Sequence, residues 1–442
     1  MLRPPTARCL FVVSVCVFRF INAVVPTQVV PNHTEPTELK HANTLYKNVS
    51  NINSNTSDQP RVNIKSDIHK VTLEVVELKF ILLWNVPRDS PFDVMMEGQA
   101  AFYKRNCQYK NCFITDNRTF LADVTMFDAV VFNGKRCPEL TAIDLPKRRL
   151  DTQKYILGAT ESAHYYPMCD PVYDDFFNWT WTYRLDSDIL WRYITIYDLE
   201  GHIVGPRPDM KWPELAPVNY DTLRRKLASK YKMVAWFVSN CNSKSKRERF
   251  VATLDYVASQ KYGWNVDVYG WCGPLRCPRE QSSECYEILK LYYYFYLAFE
   301  NSFAQDYVTE KLLNALNNDV VPVVFGRANY SSFLPPGSYL DARKLGPVRL
   351  ADTMDAIYNN KTRYFEFFRW KNHFRYNYSL PADVCNLCAA MNDKEAIRRR
   401  TMYKYFRRWW NEGPCDGCGF KSRSIPVYVF LVQFFFSKLM AL

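Results

Sequence analysis

Residues 299–324 read Phe-Glu-Asn-Ser-Phe-Ala-Gln-Asp-Tyr-Val-Thr-Glu-Lys-Leu-Leu-Asn-Ala-Leu-Asn-Asn-Asp-Val-Val-Pro-Val-Val. A polar loop opens a helix over Thr309–Asn317, and an apolar strand, Val320–Phe325, follows within a few residues. Strand, loop, helix and strand in this order imply a parallel sheet, whose ligand sites lie at the carboxyl ends of its strands. Tyr307, Glu310 and Lys311 stand where the helix begins. A helix N-terminus offers free backbone N–H groups and a partial positive charge, which favours phosphate. Lys311 adds a full charge there. Glu310 and Lys311 are adjacent, so they project about 100° apart and would touch different parts of one ligand. A carboxylate suits sugar hydroxyls and an ammonium suits phosphate, so the pair fits a nucleotide-sugar. Spacing alone also fits an ordinary αβ unit with a solvated Glu-Lys pair.

Working outward, the same grammar repeats. A strand at Met233–Val238, a helix at Ser245–Gln260 and strands at Val266–Tyr269 and Tyr292–Ala298 lead up to the opening stretch. Upstream, Leu78–Trp84, Phe127–Phe132 and Lys154–Leu157 are short apolar runs bounded by turn residues, the pattern of buried strands. The Pro-rich stretch Gly205–Pro217 separates the two series, and a basic helix over Tyr220–Lys230 follows it. The expected organisation is therefore α/β, with one Rossmann-like domain over 78–217 and a second over 218–390. No internal repeat, G-x-G-x-x-G or Walker motif is present.

The 442 residues leave room for two domains of ordinary size. Aromatic residues make up 16%, which suits packing on sugar rings as well as a globular core. The formal charge of +12 needs an anionic partner no larger than a nucleotide-sugar. Fourteen cysteines accompany eight Asn-X-Ser/Thr sequons, at Asn32, Asn48, Asn55, Asn117, Asn178, Asn329, Asn360 and Asn377. Together they argue for an oxidising, secretory compartment and against nucleic acid as a partner, despite the basic aromatic run Arg398–Arg408. Arg3 and Arg8 precede an apolar run, Cys9–Phe18, interrupted by Arg19. Residues 1–23 read as a cleaved signal or a signal-anchor. Residues 24–77, rich in Asn, Thr, Ser and Pro, read as a disordered glycosylated stem. The Cys-containing extension 391–424 and the apolar tail 425–442 close the chain, the tail being read as a membrane contact.

Phe299–Val324 resembles the donor signature of the α1,3-fucosyltransferases, glycosyltransferase family 10, which reads F-E-N-S, a spacer, D-Y-[IV]-T-E-K and an apolar strand with V-P-V. The likeness extends over about 78–390. It is nearest to the core-type enzymes of invertebrates and plants, through Val-Ser-Asn-Cys at 238–241, Tyr-Gly-Trp-Cys-Gly at 269–273 and the Cys-containing extension. The resemblance implies a GT-B-like fold, two Rossmann-like domains facing a cleft. It also implies inverting transfer of L-fucose from GDP-β-L-fucose in α1,3 linkage, without an essential metal, leaving room for stimulation by Mn²⁺ or Mg²⁺. The expected acceptor is the Asn-linked GlcNAc of an N-glycan core on a glycoprotein. Lactosamine or LacdiNAc antennae are the alternative, and an inactive glycan-binding relative is a second. The family implies a Golgi membrane enzyme of type II with a lumenal catalytic region.

Inverting transfer needs a base for the acceptor hydroxyl and cations for the leaving diphosphate. Glu161 follows the strand at 154–157 and matches the family's base, although Ser162-Ala-His-Tyr-Tyr departs from the usual Pro-containing continuation. By resemblance Asn301, Tyr307, Glu310 and Lys311 contact the donor, with Glu300 and Ser302 as supports. Ser239 and Asn240 lie at a strand's carboxyl end, and Arg247 is expected to begin a helix and grip the diphosphate bidentately. Asp186-Ser187-Asp188 matches the Asp-X-Asp of metal-dependent transferases. The resemblance instead implies an ion pair with Arg184 or a helix cap, and no metal. It further implies disulfides Cys107–Cys388 and Cys112–Cys385. A zinc site of Cys385, Cys388, Cys415 and Cys418 is the competing reading of the same thiols.

Overall fold

The computed structural model describes residues 77–85, 92–379 and 383–412. Asn32, Asn48 and Asn55, the signal or stem over 1–76, and residues 413–442 lie outside the described residues.

Six strands form the first sheet: β1 (Lys79–Leu83), β2 (Cys112–Thr115), β3 (Ala129–Asn133), β4 (Lys154–Ala159), β5 (Trp179–Thr182) and β6 (Ile189–Leu190). Their order is β2-β1-β3-β4-β5-β6 and every pairing is parallel. All residues of β3, β4 and β5 are buried, as expected of a parallel sheet covered on both faces. Gly158 is small by necessity, since a Cβ there would lie 2.6 Å from the ring of Phe92. Phe92 packs on Trp181 and Trp191, whose rings stack at 3.7 Å. A short helix, α1 (Ala100–Lys104), precedes β2.

The second sheet holds β9 (Lys232–Phe237), β10 (Val266–Tyr269), β11 (Tyr293–Phe299), β12 (Val321–Phe325) and β13 (Leu340–Asp341), after β7 (Ile194–Tyr197) and β8 (Ile203–Gly205). It is also all parallel, in the order β10-β9-β11-β12-β13. That order reverses direction between β9 and β11, and a ligand crevice opens at such a switch point. Helices α2 (Tyr220–Lys226), α3 (Arg247–Tyr262), α4 (Ser282–Tyr292), α5 (Glu310–Leu316), α6 (Ala342–Asn359) and α7 (Lys361–Glu366) connect these strands. The molecule is thus an α/β protein with two parallel sheets, a GT-B-like arrangement. One core cluster runs from Leu157 and Tyr183 on the first half through Tyr307 and Leu312 to Leu334 on the second.

After α7 the chain returns to the first half. β14 (Arg375–Tyr378) pairs antiparallel with β7, and α8 (Val384–Asn392) packs against α1, β1 and β6. Disulfides staple α8 there, as Cys107–Cys385 and Cys112–Cys388. The expected partners are therefore exchanged. Helix direction decides this: Asn392, one turn beyond Cys388, bonds Asn111 at 2.8 Å, so the carboxyl end of α8 lies beside Cys112 and its start beside Cys107. Closing the first of these rings is worth on the order of 5 kcal/mol in the chain-entropy model, the second less because the ring is already nearly closed. With both thiols in disulfides, Cys385 and Cys388 do not serve as zinc ligands. Helices α9 (Lys394–Arg398) and α10 (Phe406–Asn411) continue on the same half. Phe406 packs 4.6 Å from Phe177, and Arg407 pairs with Asp174 at 2.7 Å.

Among the described sequons, Asn117, Asn329, Asn360 and Asn377 are exposed. Asn178 is a correction: it is buried, accepts from Tyr155 N and the Arg149 guanidinium, and donates to Thr401 O. Its amide is structural and closed to glycosylation in the folded chain.

Candidate active site

The carboxyl ends of β4, β9 and β11 converge where the two halves meet. β4 delivers Thr160, Glu161 and Ser162, and β11 delivers Glu300, Asn301 and Ser302. Ser162 Oγ lies 2.6 Å from Ser302 Oγ, so the two strand ends touch. Beyond β11, Asp306 adopts a left-handed conformation (φ 56°), and Tyr307 follows it into the core at 2% exposure. The Tyr307 hydroxyl donates to Glu161 Oε2 at 3.0 Å. Its ring is held edge-on by Tyr183 and Tyr193, with centroids at 5.0 and 6.3 Å. Burial, with the neighbouring Tyr193 and Glu161 adding to it, pushes the Tyr307 phenol far above its usual range, so it remains a donor. Tyr193 in turn donates to Thr160 O at 2.9 Å, fixing the turn that carries Glu161.

The second half contributes a network of its own. Glu300 is buried and accepts from Thr309 N at 2.8 Å and from Thr309 Oγ1 at 3.0 Å. Lys311 Nζ lies 3.1 Å from its other oxygen and 3.2 Å from Glu310 Oε1. Burial raises the Glu300 pKa, and the Lys311 charge opposes that rise. Burial works against the Lys311 ammonium, but Glu300 and Glu310 together hold its pKa above the ordinary lysine value. The ammonium is thus secured from behind by Glu300, while the Glu310 carboxylate is about half exposed, at 49%.

Arg247 begins α3, as its spacing predicts, but it does not project freely. It is 3% exposed, with Nη1 donating to Phe299 O at 2.5 Å and Nη2 to Asn240 O at 3.5 Å. Its Nε has no partner among the described residues. The fork expected to grip a diphosphate is turned onto two carbonyls at the ends of β11 and β9, and it must exchange them to bind as foreseen. Ser239 and Asn240 are exposed at the end of β9. Asn301 accepts Ser245 N on its carbonyl at 3.0 Å and Ser302 Oγ on its side chain at 3.0 Å.

The structure also supplies contacts that sequence reasoning passed over. Tyr165 OH accepts from Asn240 Nδ2 at 3.0 Å, and Lys244 Nζ donates to His164 O at 2.6 Å. Both contacts cross between the halves, through the Ala-His-Tyr-Tyr run in which this chain departs from the family pattern. Spacing gave no sign of them. The departure itself was the signal, since an insertion of aromatic residues beside a site residue needs something to pack on.

Asp186 and Asp188 do not converge. Asp186 pairs with Arg184 at 2.8 Å, whereas Asp188 accepts from Thr180 N and Tyr403 OH, each at 2.8 Å. Among the described residues no group of three or more His, Cys, Asp or Glu side chains is placed to hold a metal ion. Nor is any helix among them long and apolar enough to cross a membrane.

Two family models match this chain: "Fucosyltransferase, N-terminal" over residues 77–194, and "Glycosyltransferase family 10 (fucosyltransferase) C-term" over residues 227–409. The Alpha-(1,3)-fucosyltransferase C of Drosophila melanogaster is 37% identical over 321 residues, 72% of each chain. The Glycoprotein 3-alpha-L-fucosyltransferase A of the same organism is 32% identical, over 76% of this chain and 61% of its own. A human 4-galactosyl-N-acetylglucosaminide 3-alpha-L-fucosyltransferase is 30% identical over 74% of this chain and 83% of its own. A crystal structure of an alpha1,3-fucosyltransferase with GDP-fucose superposes with a TM-score of 0.45 at 15% identity, covering 76% of this chain and 96% of that one. The chain belongs to glycosyltransferase family 10, the fucosyltransferases.

Proposed function

We propose that this α1,3-fucosyltransferase, with GDP-fucose as its donor, moves fucose to O3 of the Asn-linked GlcNAc of an N-glycan core, with inversion and with Glu161 as the base. The Tyr307–Glu161 hydrogen bond carries the reading, because it aims a carboxylate from the first half beside the loop that opens the donor network. Glu161 takes the proton of the acceptor hydroxyl as its oxygen attacks the anomeric carbon from the face opposite the diphosphate. The bond to the β-phosphate oxygen breaks, and GDP leaves with the electron pair. Lys311, held by Glu300, and Arg247 counter the charge that develops on the diphosphate. Asn301 and Glu310 are the proposed contacts to the donor's sugars, and Ser239 and Asn240 line the end of β9 nearest Arg247. No metal ion enters this scheme.

The core acceptor is favoured by two features that the fold joins. Gly270 (φ +101°) lets the 269–273 turn lie against Val238, where a Cβ would come within 2.4 Å of the Val238 carbonyl oxygen. The Cys241–Cys272 disulfide then locks Val-Ser-Asn-Cys to Tyr-Gly-Trp-Cys-Gly. Disulfides and exposed sequons support a setting in the Golgi lumen. The test is incubation of the purified protein with GDP-fucose and either an N-glycopeptide with an intact chitobiose core or a lactosamine glycan. Fragment mass spectrometry should place fucose on the Asn-linked GlcNAc. Fucose found on lactosamine alone would overturn the acceptor assignment and leave the donor site standing.

A further inference from the structure

A cavity of about 680 Å³ lies on the loop that carries Tyr307 to Glu161. Arg184, just beyond β5, and Arg327, just beyond β12, line it from the two sheets, and Tyr405, Arg408 and Trp409 line it from the returning C-terminal segment. Its volume lies within the roughly 300–1,000 Å³ usual for small-molecule sites. It shares one loop with the catalytic geometry. Asp306 lines the cavity, while the next residue, Tyr307, reaches Glu161.

The lining has the chemistry of a neutral sugar site. Asp306 is 9% exposed, and its carboxylate accepts Leu185 N at 3.1 Å, so it is oriented before any ligand arrives. Arg327 is paired with Glu412 at 2.7 Å, and Arg184 with Asp186 at 2.8 Å. With their charges met locally, Arg184 and Arg327 contribute little net field of their own. Arg408 is exposed with no carboxylate partner among the described residues, and Tyr405, 63% exposed, offers an aromatic face. The Arg184 fork is spent on Asp186 and the Trp409 carbonyl, so the oriented Asp306 carboxylate, the exposed Arg408 guanidinium and the aromatic rings are the groups that suit a pyranose, through its hydroxyls and its apolar C–H face. None of these residues belongs to the donor network.

We infer that this cavity is a second saccharide subsite, which rests on the function proposed above and holds a neutral hexose or N-acetylhexosamine. Two sources carry this chemistry: outer residues of the acceptor, or a glycan on the enzyme's own Asn329, which also lines the cavity and begins a sequon. The decisive experiment compares wild type, Tyr405→Ala and Arg408→Ala, each with and without Ser331→Ala, which removes that sequon. Calorimetric titration with a neutral, fully branched N-glycopeptide and with the chitobiose glycopeptide alone gives affinities independent of turnover, and steady-state transfer gives KM and kcat.

The expected result is about tenfold weaker binding and a similarly raised KM for the branched glycan in both exposed-residue variants. The chitobiose acceptor and the KM for GDP-fucose stay as in wild type. If this selectivity appears only with Ser331→Ala, the enzyme's own glycan occupies the cavity, and the subsite stands. If branched and minimal acceptors lose equally, or neither loses, the subsite is refuted. Preferential binding of the branched glycan without transfer to either acceptor would refute the functional reading and keep the subsite.

Discussion

At the end of β11, Glu300 is buried and receives Thr309 and Lys311 from its own half. At the end of β4, among the described residues, the hydrogen bond to the Glu161 side chain comes from Tyr307 of the other half. Two carboxylates at equivalent places in two parallel sheets are therefore held in opposite ways. The second half carries a network closed within itself, which the proposed function assigns to the diphosphate. The first half carries the carboxylate proposed as the base, and its hydrogen bond comes from the other half. A donor pocket profits from rigidity, because its ligand is fixed. A base profits from release, because it must meet the varied surfaces of an acceptor and then shed a proton.

The comparison is tested hardest at Glu161. Glu161→Gln keeps the size and the hydrogen-bond acceptor but not the basicity, and should lower kcat by about 10²–10⁴-fold, the usual worth of a general base. GDP-fucose affinity, read by calorimetry, should not move, and stability in denaturant should stay within about 0.5 kcal/mol of wild type. A comparable loss of donor affinity would mean that the halves do not divide the work as argued.

Lys311 sharpens the other side. Lys311→Met strands the buried Glu300 carboxylate, and breaking a buried pair costs about 3–5 kcal/mol of stability. Donor affinity should fall with it. Adding Glu300→Gln should recover most of the stability, since the stranded charge is gone, while donor affinity stays lost. If the single variant is as stable as wild type, Glu300 is not held by Lys311 and the network is not self-contained.

How much of this was legible follows the same division. The stretch 299–324 spelled out α5 and β12 because local periodicity and helix-start residues dominate there, and Glu300, Glu310 and Lys311 came together from one short segment. The pairing of α8 was not legible. Cys385 and Cys388 sit one helical turn apart, and only the direction of the helix across the first sheet decides which cysteine meets Cys107. Asn178 misled because a sequon is three residues, whereas burial depends on Arg149 and Thr401, far away in the chain. The inward turn of Arg247 escaped for a related reason. Its carbonyl partners belong to Phe299 and Asn240, which only the β9–β11 pairing brings near.

The smallest effect discriminates most finely. By resemblance Tyr307 is a donor contact, yet its hydroxyl is found on Glu161 and its ring is wedged between Tyr183 and Tyr193. Tyr307→Phe leaves the wedge intact and removes one hydrogen bond, worth about 0.5–1.5 kcal/mol. If the hydroxyl orients the base, kcat should fall about 2–10-fold at unchanged KM for GDP-fucose, because each 1.4 kcal/mol is tenfold. If it holds the donor instead, the same loss should appear in that KM with kcat preserved. The first outcome makes Tyr307 the part by which the self-contained half sets the aim of the dependent one. The second returns it to the donor network and leaves Glu161 positioned by Thr160 and Tyr193 alone, a weaker tether that would place more of the aiming on the acceptor itself.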